Sequence, residues 1–251
     1  MLESIHKQYQ DIRELLQSRD QAHRFDGIHQ DQLTQLIEFL TLFKLAISEL
    51  EGECYPTIHM VLLWFCKLKK HCEPKFGDVP YMRSLRSRPS ALLDEKMRPT
   101  ATHKIATFLH PKYKALKMLM EEEREEVLKQ VRELLLAEGG TRVSGEKKSK
   151  TDFTEWEDDD TGPVDEVQDY SSTNFNLGSV DENLLSFWKA QGQTFPRLQH
   201  LAKRILSIPA TSAASERSFS AAGRVIEARR SRLNPDTVHA VLFLHSAKKK
   251  K

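Results

Sequence analysis

The chain has 251 residues, enough for one or two domains with a real hydrophobic core. Its 29% charged and 39% hydrophobic residues describe a soluble protein, slightly polar for a compact globule. The longest unbroken apolar run, Met60 to Cys66, falls far short of the roughly 20 residues a bilayer span requires. The opening Met1-Leu2-Glu3-Ser4 has no apolar signal core, so the reading excludes a membrane protein and disfavours secretion.

A net charge of +2 conceals a strong asymmetry. Residues 197–251 hold 12 Lys/Arg against three acids, whereas residues 151–196 hold 11 acids against Lys189 alone. Opposite blocks of this kind pair an acidic segment with a basic contact surface. Three cysteines, at 54, 66 and 72, are too few and too unevenly spaced for a disulfide framework, which fits a reducing compartment.

In chain order the hydrophobic period is helical. Leu33, Leu36, Ile37, Leu40, Phe43, Ile47 and Leu50 recur at steps of three and four and predict one apolar stripe about five turns long. Ile58, Val61, Leu62, Phe65 and Leu68 predict a second helix, flanked by Met60, Leu63 and Trp64 and so buried on most sides. Residues 73–100, broken by Pro74, Gly77, Pro80, Pro89 and Pro99, are expected to be irregular. A helix over Thr102–Leu109 precedes Pro111. The acids Glu121 to Glu123 open another, with Val127, Leu128, Val131, Leu134 and Leu135 as its stripe and Gly139-Gly140 as its stop.

From Thr141 to Asn176 the pattern is lost. The polar, acidic stretch offers too little apolar surface to offset the entropy of ordering, and reads as a disordered linker or an acidic docking segment. Order is expected again from the capping box Ser179-Val180-Asp181-Glu182, ahead of Leu184, Leu185 and Trp188. Pro196 opens a helix through Leu198, Leu201, Ala202, Ile205 and Leu206, ending before Pro209. Thr211 or Ser212 caps the next, through Glu216 and Phe219 to Gly223. Asn234, with Pro235 behind it, caps the last, whose inward face is Val238, Val241, Leu242 and His245, widened by Phe243 and Leu244. No convincing period-2 segment appears, so the fold class is mostly α. The expected parts are a helical region at 1–140, an acidic linker at 141–178, a helical C-terminal region at 179–247 and a Lys-rich tail at 248–251.

Chemistry-bearing patterns are sparse. Cys54, His59, Cys66, His71 and Cys72 run as C-x4-H and C-x4-H-C, unlike the closer pairs of structural zinc sites. Buried cysteine is the favoured account, and no metal is expected there. Neither a phosphate-cradling glycine loop nor a nucleophile turn is present. Glu216, set among small residues, is a metal-ligand candidate or a partner for Arg217, Arg224 or another base. Arg224, Arg229, Arg230 and Arg232, with Lys248, Lys249, Lys250 and Lys251, are candidates for phosphate contact or a solvated surface, and four consecutive lysines also suit nuclear import.

Residues 187–246 resemble the C-terminal dimerisation region of hAT-superfamily transposases. The resemblance rests on Phe187-Trp188, Phe195-Pro196, Leu201, Ile208-Pro209, Ser215-Glu216-Arg217-Ser218-Phe219-Ser220, Gly223, Arg229 through Leu233, and Leu242-Phe243-Leu244. The segment IATFLHPKYK at 105–114 is similar to a shorter element of the same proteins, with His110 where Asp is common. What this implies is an RNase H-like core interrupted by a helical insertion, with three acids holding two divalent cations for DNA cleavage. Glu216 matches the third acid. The two Asp-bearing strands, the Arg-Trp segment and a BED-type zinc finger are not seen in this sequence. The resemblance therefore implies later insertion helices and terminal core helices with most strands missing, in a truncated or host-domesticated derivative. Such a chain is expected to be non-catalytic, to need no cofactor unless a parent protein completes a Mg2+ site, and to pair with itself or a related protein. The implied setting is nuclear and DNA-associated. The alternative is a C-terminal piece of an active transposase.

Overall fold

A computed structural model describes residues 1–138, 165–175, 184–225 and 234–248. Among them the ordered elements are helices and no strand occurs, as the 3.6-residue period of the sequence requires. The chain divides into two units, Met1–Glu49 and Leu50–Lys251.

The first unit holds α1 (Leu2–Lys7), α2 (Tyr9–Ser18), a 3-10 turn (Ala22–Phe25) and all but the last residue of α3 (Gln30–Leu50). Buried Tyr9 fixes it: its hydroxyl donates to the Ile28 carbonyl at 2.5 Å and its ring lies 4.9 Å from Phe25. On α3 the buried face runs through Leu33, Phe39 and Ala46, while the expected Leu40 and Ile47 are exposed. Both stripes have helical spacing. The buried face shares Leu33 and Leu50 with the expected stripe but is turned toward Phe39 and Ala46, each 2% exposed.

The second unit begins with α4 (Met60–His71), whose Val61, Leu62, Trp64 and Leu68 are buried. It is followed by α5 (Pro80–Lys96), which corrects the irregular reading of residues 73–100. Pro80 occupies the first turn, where a missing N–H costs nothing, and only Pro89 lies inside. Anchors to α4 offset the bond lost at Pro89. Buried Arg86 donates to the His71 carbonyl at 2.5 Å and pairs with Asp78 at 2.9 Å, and Lys69 pairs with Asp94 at 2.6 Å. Next come α6 (Ala101–Phe108), started by a capping box between Thr100 and His103, and α7 (Glu121–Glu138).

The acidic linker reading also needs correction. Residues 139–164 lie outside the described residues, but 165–175 include α8 (Glu166–Ser172), with Val167 and Tyr170 completely buried. Asp165 and Glu166 find partners distant in sequence, which is why composition hid the helix. Asp165 caps it, accepting from the Val167 N–H at 3.1 Å, and pairs with Arg132 at 2.9 Å. Burial alone would raise the Asp165 carboxyl. The Arg132 hydrogen bond and charge, with the Gln168 and Val167 N–H groups, outweigh that and hold it below the usual range. At the other end Lys114 donates to the Tyr170 carbonyl at 2.6 Å and to the Thr173 carbonyl.

Beyond α8 stand α9 (Leu184–Ala190), α10 (Pro196–Leu206), α11 (Ala213–Val225) and α12 (Pro235–Lys248). The capping box expected at 179–182 lies outside the described residues. Buried Glu166 of α8 takes up the free donors of α10, accepting from the N–H groups of Arg197 at 3.1 Å and Leu198 at 3.0 Å. One core results, in which Phe108 of α6 and Leu109 just after it, Val127 and Val131 of α7, and Tyr170 meet Trp188, Phe195, Leu198 and Leu201. The boundaries expected at 140 and 179 therefore do not separate compact parts. Helices α8, α9 and α10 bury their apolar faces against residues 58–135, since they are too small to close a core alone.

Tyr170 sits at the hub, its ring within 5.3–5.7 Å of Phe108, Trp188, Phe175 and Phe195. Its buried hydroxyl has no hydrogen-bond partner among the described residues, and burial pushes its pKa well above the ordinary value. Removing an unsatisfied buried hydroxyl while keeping the ring is favourable. Tyr170→Phe is accordingly expected to raise the urea unfolding free energy by about 1 kcal/mol. A loss of similar size would show that the hydroxyl has a partner.

Candidate functional site

The turn from α10 into α11 forms one wall of a groove of about 830 Å3. Leu198, Leu201, Ala202, Ile205 and Leu206 seat α10 in the core, so its C-terminal end is rigidly placed. The helix stops at the Ile208-Pro209 step, where proline has no N–H to continue the ladder. The next free N–H, of Ala210, donates to buried Thr57 at 3.0 Å, which ties the turn to the 50–57 loop. Thr211 accepts from the Ala213 N–H at 3.3 Å and starts α11.

Arg217 then clamps α11 to the same loop. Its guanidinium donates to Glu53 Oε1 at 2.7 and 2.8 Å, to Glu51 Oε2 at 3.1 Å and to the Glu51 carbonyl at 3.0 Å. Both carboxylates raise the Arg217 pKa further, with the Glu53 hydrogen bond contributing most. The groove lies between this loop and α11, with Ile208, Ser215, Ser218, Phe219 and Leu242 among its walls. A fork against two carboxylates and a carbonyl fixes orientation as well as position.

Past the clamp the surface is apolar. Asn234 caps α12, accepting from the Asp236 N–H at 3.2 Å. From Val238 to Leu244 the helix carries apolar residues around its whole circumference, and it packs on α11. One neighbour covers one side of such a helix. The other side leaves Phe243 67% and Leu244 63% exposed, with Val241 at 40%, and on α11 Phe219 is 76% exposed.

The residues expected to form one site thus do three jobs. Trp188, Phe195 and Leu201 are core anchors, and Pro196 opens α10. Ile208, Pro209, Ser215, Arg217, Phe219 and Leu242 line the groove, while Ser220 and Phe243 are exposed. Leu233, Arg229, Arg230, Arg232 and Lys249 to Lys251 lie outside the described residues, as does the side chain of Lys248. Arg224 is exposed near the end of α11. The inward face expected for α12 is only partly inward, because Val241, Phe243 and Leu244 face out. Glu51, Glu53 and Glu166 were missed: two follow an unremarkable helix end and one lies in the acidic stretch, with no local pattern to mark them.

Glu216 is exposed and accepts from its own helix-capping residue, Ser212 Oγ, at 2.5 Å. Arg217 turns instead to Glu51 and Glu53. Among the described residues no three His, Cys, Asp or Glu side chains are placed to hold a metal ion. A two-cation carboxylate set does not fit the described residues. Of the five Cys/His residues weighed for zinc, Cys72 is buried and Cys66 half-buried, and burial raises both thiols. Cys54 is exposed at the groove, contrary to a purely buried role. His59 stacks on His110, ring centres 4.8 Å apart.

Residues 166–247 match the family described as the hAT family C-terminal dimerisation region. In this part the chain is similar to that family's dimerisation region. Its match begins at the first residue of α8 and includes the groove turn and α12. The chain is 27% identical to zinc finger protein 618 of Homo sapiens and 26% to that of Mus musculus, each over 96% of this chain. It spans 26% of the length of those relatives. Against the putative AC transposase of Zea mays it is 33% identical over 88 residues, which are 35% of this chain and 11% of the transposase. Among the described residues no helix is long and apolar enough to cross a membrane.

Proposed function

We propose that this chain is a transposase-derived, non-catalytic protein that self-associates through the outer face of α11 and α12 and acts in the nucleus in association with DNA. The observation that carries the self-association is the uncovered side of α12. Among the described residues α12 packs chiefly on α11, and an all-round apolar helix with Val241, Phe243 and Leu244 exposed, beside an α11 that exposes Phe219, is a surface that association buries. The match over 166–247 supports the reading, since the whole surface lies within it. The non-catalytic part rests on Glu216, whose carboxylate is engaged by Ser212 and has no converging acids among the described residues. The nuclear and DNA-associated setting is supported by the likeness to a zinc finger protein and to transposases, and by the Lys248–Lys251 run. Sedimentation equilibrium of the purified chain is expected to give a dimer or larger species at micromolar concentration. A monomer across that range overturns the self-association.

A further inference from the structure

The tip between α4 and α5 carries the most exposed large hydrophobic side chain among the described residues, Phe76. Asp78 holds this loop in one shape. Its carboxylate accepts from the Lys75 N–H at 2.7 Å and pairs with buried Arg86 at 2.9 Å, while Arg83 donates to its carbonyl at 3.3 Å. Gly77, at φ +88°, reverses the chain directly after Phe76 in a conformation that side chains resist. The ring is therefore presented outward by a pinned turn. It packs into no core.

The surroundings are cationic. Between residues 67 and 98 the chain has nine Lys/Arg against four acids. Three of those acids are paired, Asp78 with Arg86, Asp94 with Lys69 and Glu95 with Lys96, which leaves Glu73 as the exposed acid of the tip. Lys75 adjoins Phe76, Lys70 lies in the last turn of α4, and Arg83 and Arg88 lie on the outer side of α5, all exposed. A single ring with Val79 beside it is too small an apolar area to hold a bilayer surface. An isolated aromatic among cations is instead the arrangement on which bases stack while phosphates are neutralised.

We propose that the α4–α5 tip binds single-stranded DNA, with Phe76 stacking on a base and Lys70, Lys75, Arg83 and Arg88 neutralising the flanking phosphates. The choice of DNA rests on the DNA association proposed above; the stacking and charge chemistry stands on the tip itself.

Fluorescence anisotropy of the full chain with a labelled oligothymidine tests this, alongside a duplex, an RNA of equal length and vesicles containing phosphatidylserine. The expected result is preference for the single DNA strand, with affinity falling as salt rises. Phe76→Ala weakens binding roughly 10-fold. Lys75→Glu combined with Arg83→Glu flattens the salt dependence by about 0.7 in log–log slope for each phosphate no longer neutralised. Phe76→Ala is exposed and leaves the thermal melt unchanged, so its effect does not come from unfolding. Unchanged affinity in both variants, tighter binding to RNA or vesicles, or a loss seen only on replacing Lys248 to Lys251 each overturns the proposal. A dimer that binds no single strand overturns this proposal and keeps the self-association, whereas a monomer whose binding needs Phe76 does the reverse.

Discussion

Trp188→Ala is expected to remove about 4 kcal/mol of unfolding free energy, the largest stability loss foreseen for a single side chain here. The indole is 3% exposed and sits 5.4 Å from both Tyr170 and Phe187, so truncation opens a cavity at the junction of α6, α8 and α9. It also strands the Leu109 carbonyl, which accepts from the indole N–H at 3.0 Å in a buried position. The backbone is tied as well, since the Trp188 carbonyl accepts from Gln199 of α10 at 3.0 Å. Domains of this kind have about 5–15 kcal/mol in total, so the variant loses a large share of it. Trp188→Phe separates the two contributions: it keeps most of the packing, loses the hydrogen bond, and should cost closer to 1–2 kcal/mol. Urea unfolding followed by far-UV circular dichroism measures both. An alanine variant within about 1 kcal/mol of the parent would mean that residues 184–206 are not part of the core formed by residues 58–135.

That dependence between distant segments also explains what the sequence revealed and what it hid. Helices with one apolar stripe or a strong boundary signal were legible. Pro196 with Leu198, Leu201 and Ile205 gave α10, Asn234-Pro235 gave the start of α12, and the Glu121–Glu123 run gave α7. α8 was not legible, because its stability comes from Arg132, Lys114 and an aromatic cluster assembled from residues 108 to 195, none of which a local window contains. α5 was hidden by its prolines, whose cost is offset by Arg86 and Lys69 reaching across to partners on or beside it. On α3 two overlapping stripes shared the same period, and which of them is buried, the one through Phe39 and Ala46, is not written in the spacing. The candidate site was half legible. Its residues were named by spacing, but that Trp188 supports from within while Phe243 faces out depends on burial. The clamp of Arg217 on Glu51 and Glu53 spans more than 160 positions and leaves no trace in local sequence.

Phe219→Asp combined with Phe243→Asp is expected to weaken self-association by at least about 30-fold, the cost of losing two aromatic hot spots. Both rings are mostly exposed, at 76% and 67%, so the isolated chain should melt at nearly the same temperature. In an associated state each carboxylate would be taken from water against apolar side chains such as Val241 and Leu244, where desolvation opposes its charge. Arg217→Ala supplies the contrast. It leaves the apolar patch intact but frees α11 from the 50–57 loop, so it should weaken association less than the double aspartate variant while making it more sensitive to temperature. Sedimentation equilibrium at matched concentrations, with melts by circular dichroism, distinguishes these outcomes. If the double aspartate variant associated as tightly as the parent, the α11–α12 face would be ruled out as the contact between copies. If Arg217→Ala alone abolished association, the groove held open by the clamp, rather than the outer face of α12, would be the surface that the second copy recognises.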